Sequence, residues 1–517
     1  MTNDHGEEQL VTVRLEHGRI AGIVPSEPAG AATTALLDAE GAWLHPGFID
    51  AHVHLVLSGM TLGMLDLVDV TSREMFEQRI AQRHAELGED EWLLADGWLE
   101  PEWGGQLPDQ SWLAAAGNCP VVCWKRDHHA MLVNQPVLDL INAAEREDPP
   151  GGEIVRGPDG APTGLLLEAA AWQLVMPCIP VPSAATRQAL TLEATRILAR
   201  HGVVAINSME YANDVLDVLE PIREQLAVRT MITMLDRVLP IDEPLGRLQA
   251  MRSDERLGLI GCKAFLDGTF GSQTAAMLEP WSSDPDGGRG MLVELAERGE
   301  LNQWIERVVE AELSPSMHAI GDRAARLALD ASDHADAHAR KIGAARPWIR
   351  IEHCQAVHPA DIARFTDRVA SMQPLHVADD GRVALERLGA ERMNHFFPFR
   401  PLEDAKSILA FGSDWPIAEP DVIRAIAIAV SGRMPDGTDI LGQHTIDISS
   451  ALNAYTHAAR RAILLPPVNL QPQDPADLVL LDQNPLTASY EDSPPTVVTT
   501  IMDGAITYDA RISETDA

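Results

Sequence analysis

Short apolar runs alternate with amphipathic stretches through the middle of the chain, between residues 47 and 461. The runs have the length of buried strands, and stretches such as 184–200 and 297–312 have the periodicity of helices. Strands that alternate with helices are typical of a parallel sheet. Eight strands are predicted, at residues 47–52, 203–207, 228–234, 258–265, 314–318, 348–353, 368–373 and 408–413.

Eight strands with helical crossovers predict an α/β fold in which the sheet closes into a (β/α)₈, TIM-like barrel. An open doubly wound sheet is the alternative. The Gly-x-Gly-x-x-Gly phosphate turn that often accompanies that second fold is absent from the sequence. We therefore expect the barrel.

Both ends of the chain have a different pattern, in which apolar and polar residues alternate over short segments. The segments are 11–15 and 20–24 at one end and 477–482, 496–503 and 505–508 at the other. A lone hairpin is only marginally stable in water, so neither end is expected to fold alone. Together they predict one composite β-sandwich domain built from both termini.

About 150 residues separate the first two predicted barrel strands, far more than a normal crossover needs. This interval contains helix-like and strand-like segments, so we expect an insertion after the first barrel strand. The predicted division is 1–46 for the first part of the β-sandwich, 47–71 for the first barrel strand and its surroundings, 72–180 for the insertion, 181–461 for the remaining barrel and 462–517 for the second part of the β-sandwich.

The charge of the chain narrows the range of partners. Asp and Glu total 77 against 40 Lys and Arg, a net charge of −37. Phosphate backbones and anionic lipid would be repelled unless a basic patch were present, and the sequence has none, so we expect neither nucleic acid nor a membrane as partner.

No apolar run approaches the roughly 18 residues of a membrane helix. The acidic start lacks the pattern of a signal peptide, and the five cysteines lack a Cys-x-x-Cys pair. We expect a cytoplasmic protein that acts on a small molecule.

Candidate metal ligands lie where predicted barrel strands end, the face on which barrel active sites are built. His52 and His54 are two residues apart, so on a strand both imidazoles face the same side. Later strands add four more residues in the same position, Lys263, His318, His353 and Asp414. Each has a structural alternative: an ion pair for Lys263, a helix cap for His318 or Asp414, a buried core histidine for His353. Jointly they predict a divalent-metal site, and imidazoles with a carboxylate suit zinc.

At this point the sequence resembles the amidohydrolase superfamily, and within it the YtcJ-like branch that includes N-substituted formamide deformylase. The first-strand signature is His45-Pro-Gly-Phe-Ile-Asp-Ala-His-Val-His, and Ala476-Asp-Leu-Val-Leu-Leu-Asp resembles a strand of the family's composite β-domain. Further matching blocks occur in the family's order, at 96–98, 126–134, 162–168, 263–268, 318–323, 350–355, 371–376 and 412–416.

The resemblance implies a ligand set and a chemistry. His52, His54 and Asp414 would hold one metal, His318 and His353 match the histidines of strands five and six, and Lys263 matches a lysine that is often carboxylated and bridges a second metal. A bound metal acidifies water and polarises a carbonyl. Asp414 would serve as general base and then as acid, while His353 or His318 steadies the carbonyl oxygen. We expect one or two ions, with two favoured.

The expected reaction is hydrolysis of a non-peptide C–N bond in an amide, an N-substituted formamide or an N-acyl compound. A deaminase or cyclic-imide hydrolase using the same site is the main alternative. A phosphate-ester hydrolase shares the metal chemistry, and a metal-free scaffold without activity is a further alternative.

The resemblance also suggests residues of the substrate pocket. Those in the insertion are His129, Asn134 and Glu168, and His376 follows strand seven of the barrel. Trp98 lies in a Trp- and Gly-rich loop that could line the pocket or be structural, and Asp267, after Lys263, is a further pocket candidate. Asp267, and Glu352 before His353, could instead orient ligands or cap helices. The family's usual Asp-Gly-His reads Asp127-His128-His129 here, which adds bulk beside the pocket. A homodimer is expected by analogy with the superfamily.

Overall fold

The computed structural model describes residues 9–25, 37–88, 91–126, 128–149, 151–252 and 254–512. The chain forms two compact units. The first contains Met1–Val56 and Leu192–Ala517, and the second contains Leu57–Thr191. The predicted insertion, 72–180, lies inside the second unit. Asp127 falls outside the described residues.

The first unit is built on a parallel sheet, which confirms the predicted barrel fold. In its described part, eight strands follow one another in chain order, each hydrogen-bonded to the next. They are β1 (Phe48–Val53), β2 (Val203–Glu210), β3 (Arg229–Met234), β4 (Leu257–Phe265), β5 (Ser314–Ala319), β6 (Arg350–His353), β7 (Val369–Met372) and β8 (Ile408–Phe411).

The ends of this sheet meet just beyond β8. The backbone N–H of Asp414 donates to His52 O at 2.7 Å, and that of His54 donates to Trp415 O at 2.9 Å. The buried Asp50 carboxylate accepts the N–H of Ser413 at 3.0 Å. Gly412 permits this approach, because a Cβ there would lie 2.5 Å from His52 N. The closure joins the carboxyl ends of the first and last strands.

The barrel strands are apolar because both of their faces are covered. Every residue of β1, β2 and β3 is buried. Helix Leu301–Glu310 shows how a covering helix is built, since Leu301, Trp304, Ile305 and Val308 form one buried stripe. The other α-helices described in this unit are Ala212–Asp214, Glu220–Ile222, Asp242–Leu248, Glu294–Glu297, Asp322–Ile342, Leu375–Leu388, Phe399–Asp404, Val422–Ser431, Ile448–Ala454 and His457–Ala462. Helices Leu55–Leu62 and Ala184–Arg200 contain the points where the chain passes from one unit to the other.

The two ends of the chain share a β-sheet, as their alternating patterns predicted. Among the described residues, four antiparallel strands form it, in the order Ala505–Asp509, Val497–Met502, Leu478–Leu481 and Trp43–Pro46. The hairpin Val11–Glu16 and Arg19–Pro25 packs against them, with Ile20, Leu478 and Ile501 as a small core.

A buried carboxylate ties this sheet to the barrel. Asp477 is fully buried and accepts hydrogen bonds from Arg229 Nε at 2.9 Å and from Arg460 Nη2 at 2.8 Å. Arg229 begins β3, and Arg460 lies in helix His457–Ala462. Two buried cations therefore share the Asp477 carboxylate, and Arg229 Nη2 also donates to Asp503 Oδ1 at 2.8 Å, so each buried charge has a partner of opposite sign.

The second unit has its own sheet and its own apolar core. The strands recorded among its described residues are, in sheet order, Leu65–Asp66, Leu93–Trp98, Val121–Lys125, Ala130–Val133, Pro162–Glu168 and Gly152–Arg156. Helices Arg73–Glu86 and Gln135–Leu140 and the 3₁₀ segment Gln110–Ala116 complete it. Phe76, Trp98 and Trp112 belong to its core. In the described part of the chain as a whole, none of the helices is both long and apolar enough to cross a membrane.

Glu210, at the end of β2, caps the helix that follows β1. Its Oε1 accepts the N–H of Val56 at 3.0 Å and the hydroxyl of Ser208 at 2.6 Å. Burial outweighs these hydrogen bonds and raises the pKa of Glu210 from 4.5 to about 8. The folded protein therefore binds this proton more tightly than the unfolded chain does.

The pH dependence of stability follows from this shift. The contribution of Glu210 to the free energy of unfolding is fully present below about pH 4.5. It is lost as the pH rises through about 8, at up to about 1.4 kcal/mol per pH unit. The variant Glu210→Gln has no titratable group at this position. The free energy of unfolding of this variant, relative to that of the wild type, should therefore increase as the pH rises from about 5 to about 8. Urea unfolding at several pH values measures the difference. Glu224→Gln, at a mostly exposed side chain, is the control and should give a constant difference. A constant difference for Glu210→Gln would contradict the prediction.

Candidate metal centre

The carboxyl ends of the barrel strands bring the predicted ligands together. His52 lies in β1 with His54 just after it, Lys263 lies in β4, His318 in β5 and His353 at the end of β6, and Asp414 follows β8. These positions are separated by up to 362 residues in sequence. The parallel order of the strands places them at one end of the sheet.

Asp414 is the centre of this group. Its Oδ1 lies 3.3 Å from His52 Nε2 and 3.4 Å from His54 Nε2, and its Oδ2 lies 3.9 Å from His353 Nδ1. One donor atom from each of His52, His353 and Asp414 lies within 4.8 Å of the other two. Three side chains from β1, β6 and the segment after β8 can thus reach one cation.

Lys263 and His318 complete the cluster. Lys263 Nζ donates to His52 Nε2 at 2.9 Å and is fully buried. The ring centroids of His318 and His353 are 4.4 Å apart, edge to face. His318 Nε2 donates to Gly268 O at 3.4 Å and lies 3.8 Å from Asp267 Oδ1. All of the predicted ligands therefore lie in one group of contacts.

Burial controls the charges of the histidines. It lowers the pKa of His54 to about 4 and lowers the pKa values of His52 and His353 as well, in each case reinforced by neighbouring cationic groups. The imidazoles are therefore neutral and carry a lone pair for a cation. Burial alone would raise the pKa of Asp414, but the surrounding histidines outweigh it and lower that pKa well below the usual range. Asp414 is therefore an anion.

The donor set fits a divalent cation. Neutral imidazoles with a carboxylate are the ligands that zinc and similar ions take in proteins. His353 Nε2 is buried and has no hydrogen-bond partner among the residues that the structure describes. Lys263 fits less well as it stands, because burial lowers its pKa only to about 8 and the ammonium form would repel a cation.

Two of these residues hold unusual backbone conformations. His353 has φ 71° and Asp414 has φ 61°, in the left-handed region that favours glycine. Such strain is concentrated at functional sites, where the surrounding structure maintains it. Nothing in the sequence indicated it, because neither residue is a glycine or lies in a recognisable turn motif.

The predicted pocket residues of the barrel lie close to these ligands. His376 is buried, and its ring stacks on that of His353 with centroids 6.4 Å apart. Asp267 accepts the N–H groups of Ile320 and Gly321, at 3.0 and 2.8 Å, and that of Ala276 at 2.8 Å. Asp267 thereby holds the chain beyond β5 beside His318. Substrate contact by either residue stays a prediction.

The predicted pocket residues of the second unit make contacts within that unit. His129 Nδ1 donates to Glu168 Oε2 at 2.8 Å. Asn134 accepts the N–H of Val121 at 3.0 Å and donates to Cys119 O at 2.7 Å. Trp98 is buried and donates to Cys123 O at 2.9 Å. The bonds of Asn134 and Trp98 hold the backbone of their own unit, and their role as substrate contacts stays a prediction.

Sequence reasoning missed several polar side chains behind the ligands. Gln373 Oε1 accepts from His353 Nδ1 at 3.0 Å. Arg350 and Ser316 donate to the Glu352 carboxylate, which in turn accepts from His52 Nδ1 at 2.7 Å. For Arg350 the available signal was its place between the buried apolar residues Ile349 and Ile351, whereas Glu352 was already a candidate for orienting a ligand. Their partners lie on other strands and could not be read from spacing.

Comparison with known proteins gives the same picture. Residues 35–508 match the amidohydrolase family. The chain is 30% identical to Protein LONG AFTER FAR-RED 3 of Arabidopsis thaliana over 92% of this chain and 84% of that protein. It is 27% identical to the putative amidohydrolase YtcJ of Bacillus subtilis over 87% and 86% of the two chains. A shorter match, 34% identical over 31% of each chain, is to N-substituted formamide deformylase of Arthrobacter pascens.

A solved structure is similar over nearly the whole chain. It is an uncharacterized metal-dependent hydrolase from Pyrococcus horikoshii, with a TM-score of 0.73 and 25% identity over 93% of this chain and 95% of that one. The resemblance inferred from the sequence motifs is confirmed. The chain belongs to the amidohydrolase family of hydrolases.

Proposed function

We propose that this protein uses zinc to hydrolyse the C–N bond of a small N-substituted formamide, amide or N-acyl compound. The observation that carries the proposal is the convergence of buried donor atoms from His52, His353 and Asp414. Similarity to a metal-dependent hydrolase supports the metal, and partial similarity to an N-substituted formamide deformylase supports the formyl or acyl substrate. The deformylase match covers only part of the chain, so it favours a substrate class and not one compound.

The residues of the site divide the chemistry among them. A bound divalent cation would polarise the carbonyl group and acidify a water molecule. Asp414, an anion whose Oδ1 faces both His52 and His54, accepts the proton of the attacking water. It then delivers this proton to the leaving nitrogen, which must depart as a neutral amine. Each of His318 and His353 already donates its ring N–H, to Gly268 O and to Gln373 Oε1. Both rings are therefore assigned to the cation through the remaining lone pair, and the cation would stabilise the negative charge that develops on the carbonyl oxygen.

Lys263 is proposed to carry a carboxyl group. Its amine lies 2.9 Å from His52 Nε2, inside the ligand group. The ammonium group first loses one proton, and addition of CO₂ to the neutral amine then forms an N–C bond and releases a second proton. A cationic side chain thereby becomes a carbamate anion with two oxygens. Such a side chain could bridge two cations, and the proposed site therefore holds two.

Loss of the general base should leave the metal in place. Asp414→Asn keeps an oxygen donor and the same shape, but the amide cannot accept the proton of water. The expected result is a kcat lower by about 10²- to 10⁴-fold with metal content close to that of the wild type. Steady-state kinetics and elemental analysis of the same preparation measure both quantities. Wild-type turnover in the variant would overturn the assignment of Asp414.

The modification of Lys263 can be detected directly. Native mass spectrometry of the protein prepared in bicarbonate should show the added mass of one CO₂, lost on acidification. Lys263→Met is the matched control and should show no added mass. We expect about two metal equivalents in the wild type and fewer in the control. An unmodified lysine with a single equivalent of metal would contradict the two-metal proposal.

A compact substrate panel tests the reaction itself. It contains N-substituted formamides, N-acyl amino acids, simple amides, an aminopyrimidine and a phosphate ester, each assayed with the chelator-treated protein and after Zn²⁺ is restored. Formate or a carboxylate should be released with an amine, and only after Zn²⁺ is added. Ammonia from the aminopyrimidine would indicate a deaminase, and phosphate release would indicate an esterase. Either result alone would replace the proposed reaction.

A further inference from the structure

We infer that Glu352 is a positioning residue for the metal centre, which holds the ring of His52 so that Nε2 presents its lone pair to the cation. The inference rests on the proposed metal-dependent function and adds to it a residue outside the ligand set. Glu352 does not touch the substrate in this scheme. It acts through His52.

The contact between the two side chains fixes the tautomer of His52. Nδ1 of His52 lies 2.7 Å from Glu352 Oε2, and both side chains are fully buried. An ionised carboxylate only accepts hydrogen bonds, so Nδ1 must carry the proton. The lone pair is then on Nε2, which faces Lys263 Nζ at 2.9 Å and Asp414 Oδ1 at 3.3 Å. This is the side of the ring on which the other donors lie.

The carboxylate is itself held by its neighbours. Ser316, on β5, donates to Oε1 at 2.6 Å, and Arg350 Nε donates to the same atom at 2.8 Å. Arg350 Nη2 lies 3.3 Å from Oε2. With both oxygens bound, the Glu352 carboxylate is held in one orientation. Its hydrogen bond with Nδ1 then fixes the orientation of the His52 imidazole on β1.

Arg350 extends this support to the barrel backbone. Its Nη2 donates to Ala51 O, on β1, at 2.7 Å and to Ser371 Oγ, on β7, at 3.2 Å. Its Nη1 donates to Ala462 O at 3.2 Å. The guanidinium therefore bridges β1, β6 and β7 beneath the site. A purely structural reading of Glu352 would assign it only to this bridge, as the counter-ion of Arg350.

The two possible roles of Glu352 predict that its removal impairs different properties of the protein. A carboxylate behind a metal-bound histidine fixes its orientation and makes it a better donor, and removing such a partner weakens metal binding by about 10- to 100-fold. A counter-ion of Arg350 alone would affect the stability of the fold and leave the intrinsic affinity for metal unchanged. Metal affinity therefore separates the two.

The experiment measures Zn²⁺ binding to the full-length apoprotein by competition with a chromophoric chelator. Glu352→Gln keeps the volume of the side chain and removes its charge. We expect its Kd for Zn²⁺ to be about 10- to 100-fold higher than that of the wild type. Asp361→Asn is the matched control, because Asp361 is also a buried carboxylate that accepts from an arginine, Arg326, at 2.8 Å. Its Kd should equal that of the wild type.

The outcomes are distinct. A Kd for Glu352→Gln within threefold of wild type overturns the inference, whatever the thermal stability of the variant. If Glu352→Gln does not fold, Ser316→Ala takes its place, since it removes one bond to Glu352 without touching His52. It should weaken Zn²⁺ binding by at least about threefold, and unchanged binding would overturn the inference.

A readout without metal separates this inference from the proposed function. If the wild type does not compete for Zn²⁺, the proposed metal centre is wrong. Histidine ¹⁵N spectra of the apoprotein, with His52 assigned from His52→Gln, still test the positioning role. They should show His52 protonated on Nδ1. Protonation on Nε2 would overturn the inference independently of any metal.

Discussion

The closure of the barrel sheet is the constraint on which the site depends. The segment after β8 returns to β1 through the N–H of Asp414 on His52 O and the N–H of Ser413 on the buried Asp50 carboxylate. These bonds bring a carboxylate from the end of the barrel to within 3.4 Å of both histidines from its beginning. The lack of a side chain at Gly412 makes the approach possible. The same contacts therefore complete the fold and assemble the ligands.

Concentrating so many polar groups in a buried site has an electrostatic cost, which the neighbouring strands offset. Arg350 faces Glu352, Lys263 faces His52, and Asp414 faces the histidines, so each buried charge has a partner of opposite sign or a polar ring beside it. Leaving any buried charge alone would cost several kcal/mol. The interior can hold these ligands because Arg350 pairs with Glu352 on β6 and Asp414 lies among the histidines.

The sequence predicted the barrel well because its strands are buried on both faces, which leaves uninterrupted apolar runs in the chain. The candidate ligands could be picked out because each lies near or just after the end of such a run, and parallel strands end at a common edge. The residues that hold the candidate ligands in place were harder to predict. Glu352 was visible beside His353, but its bond to His52 joins residues 300 apart. Gln373 gave no signal, because an amide at the end of a strand has many possible roles. Asn134 was a pocket candidate through the resemblance and Trp98 through its Trp- and Gly-rich loop, and the bonds of both hold their own unit together.

The left-handed backbone at His353 and Asp414 shows what the site demands of the fold. Each such residue costs about 1–3 kcal/mol unless it is glycine. Glycine would remove that cost, but it would also remove the donor atom. The neighbouring bonds hold the strained conformations in place: Cys354 N–H donates to Ala319 O on β5, and Asp414 N–H donates to His52 O on β1. Both strained residues are thus held by strands that carry other ligands. The geometry of these two donors therefore depends on hydrogen bonds between strands that are distant in sequence.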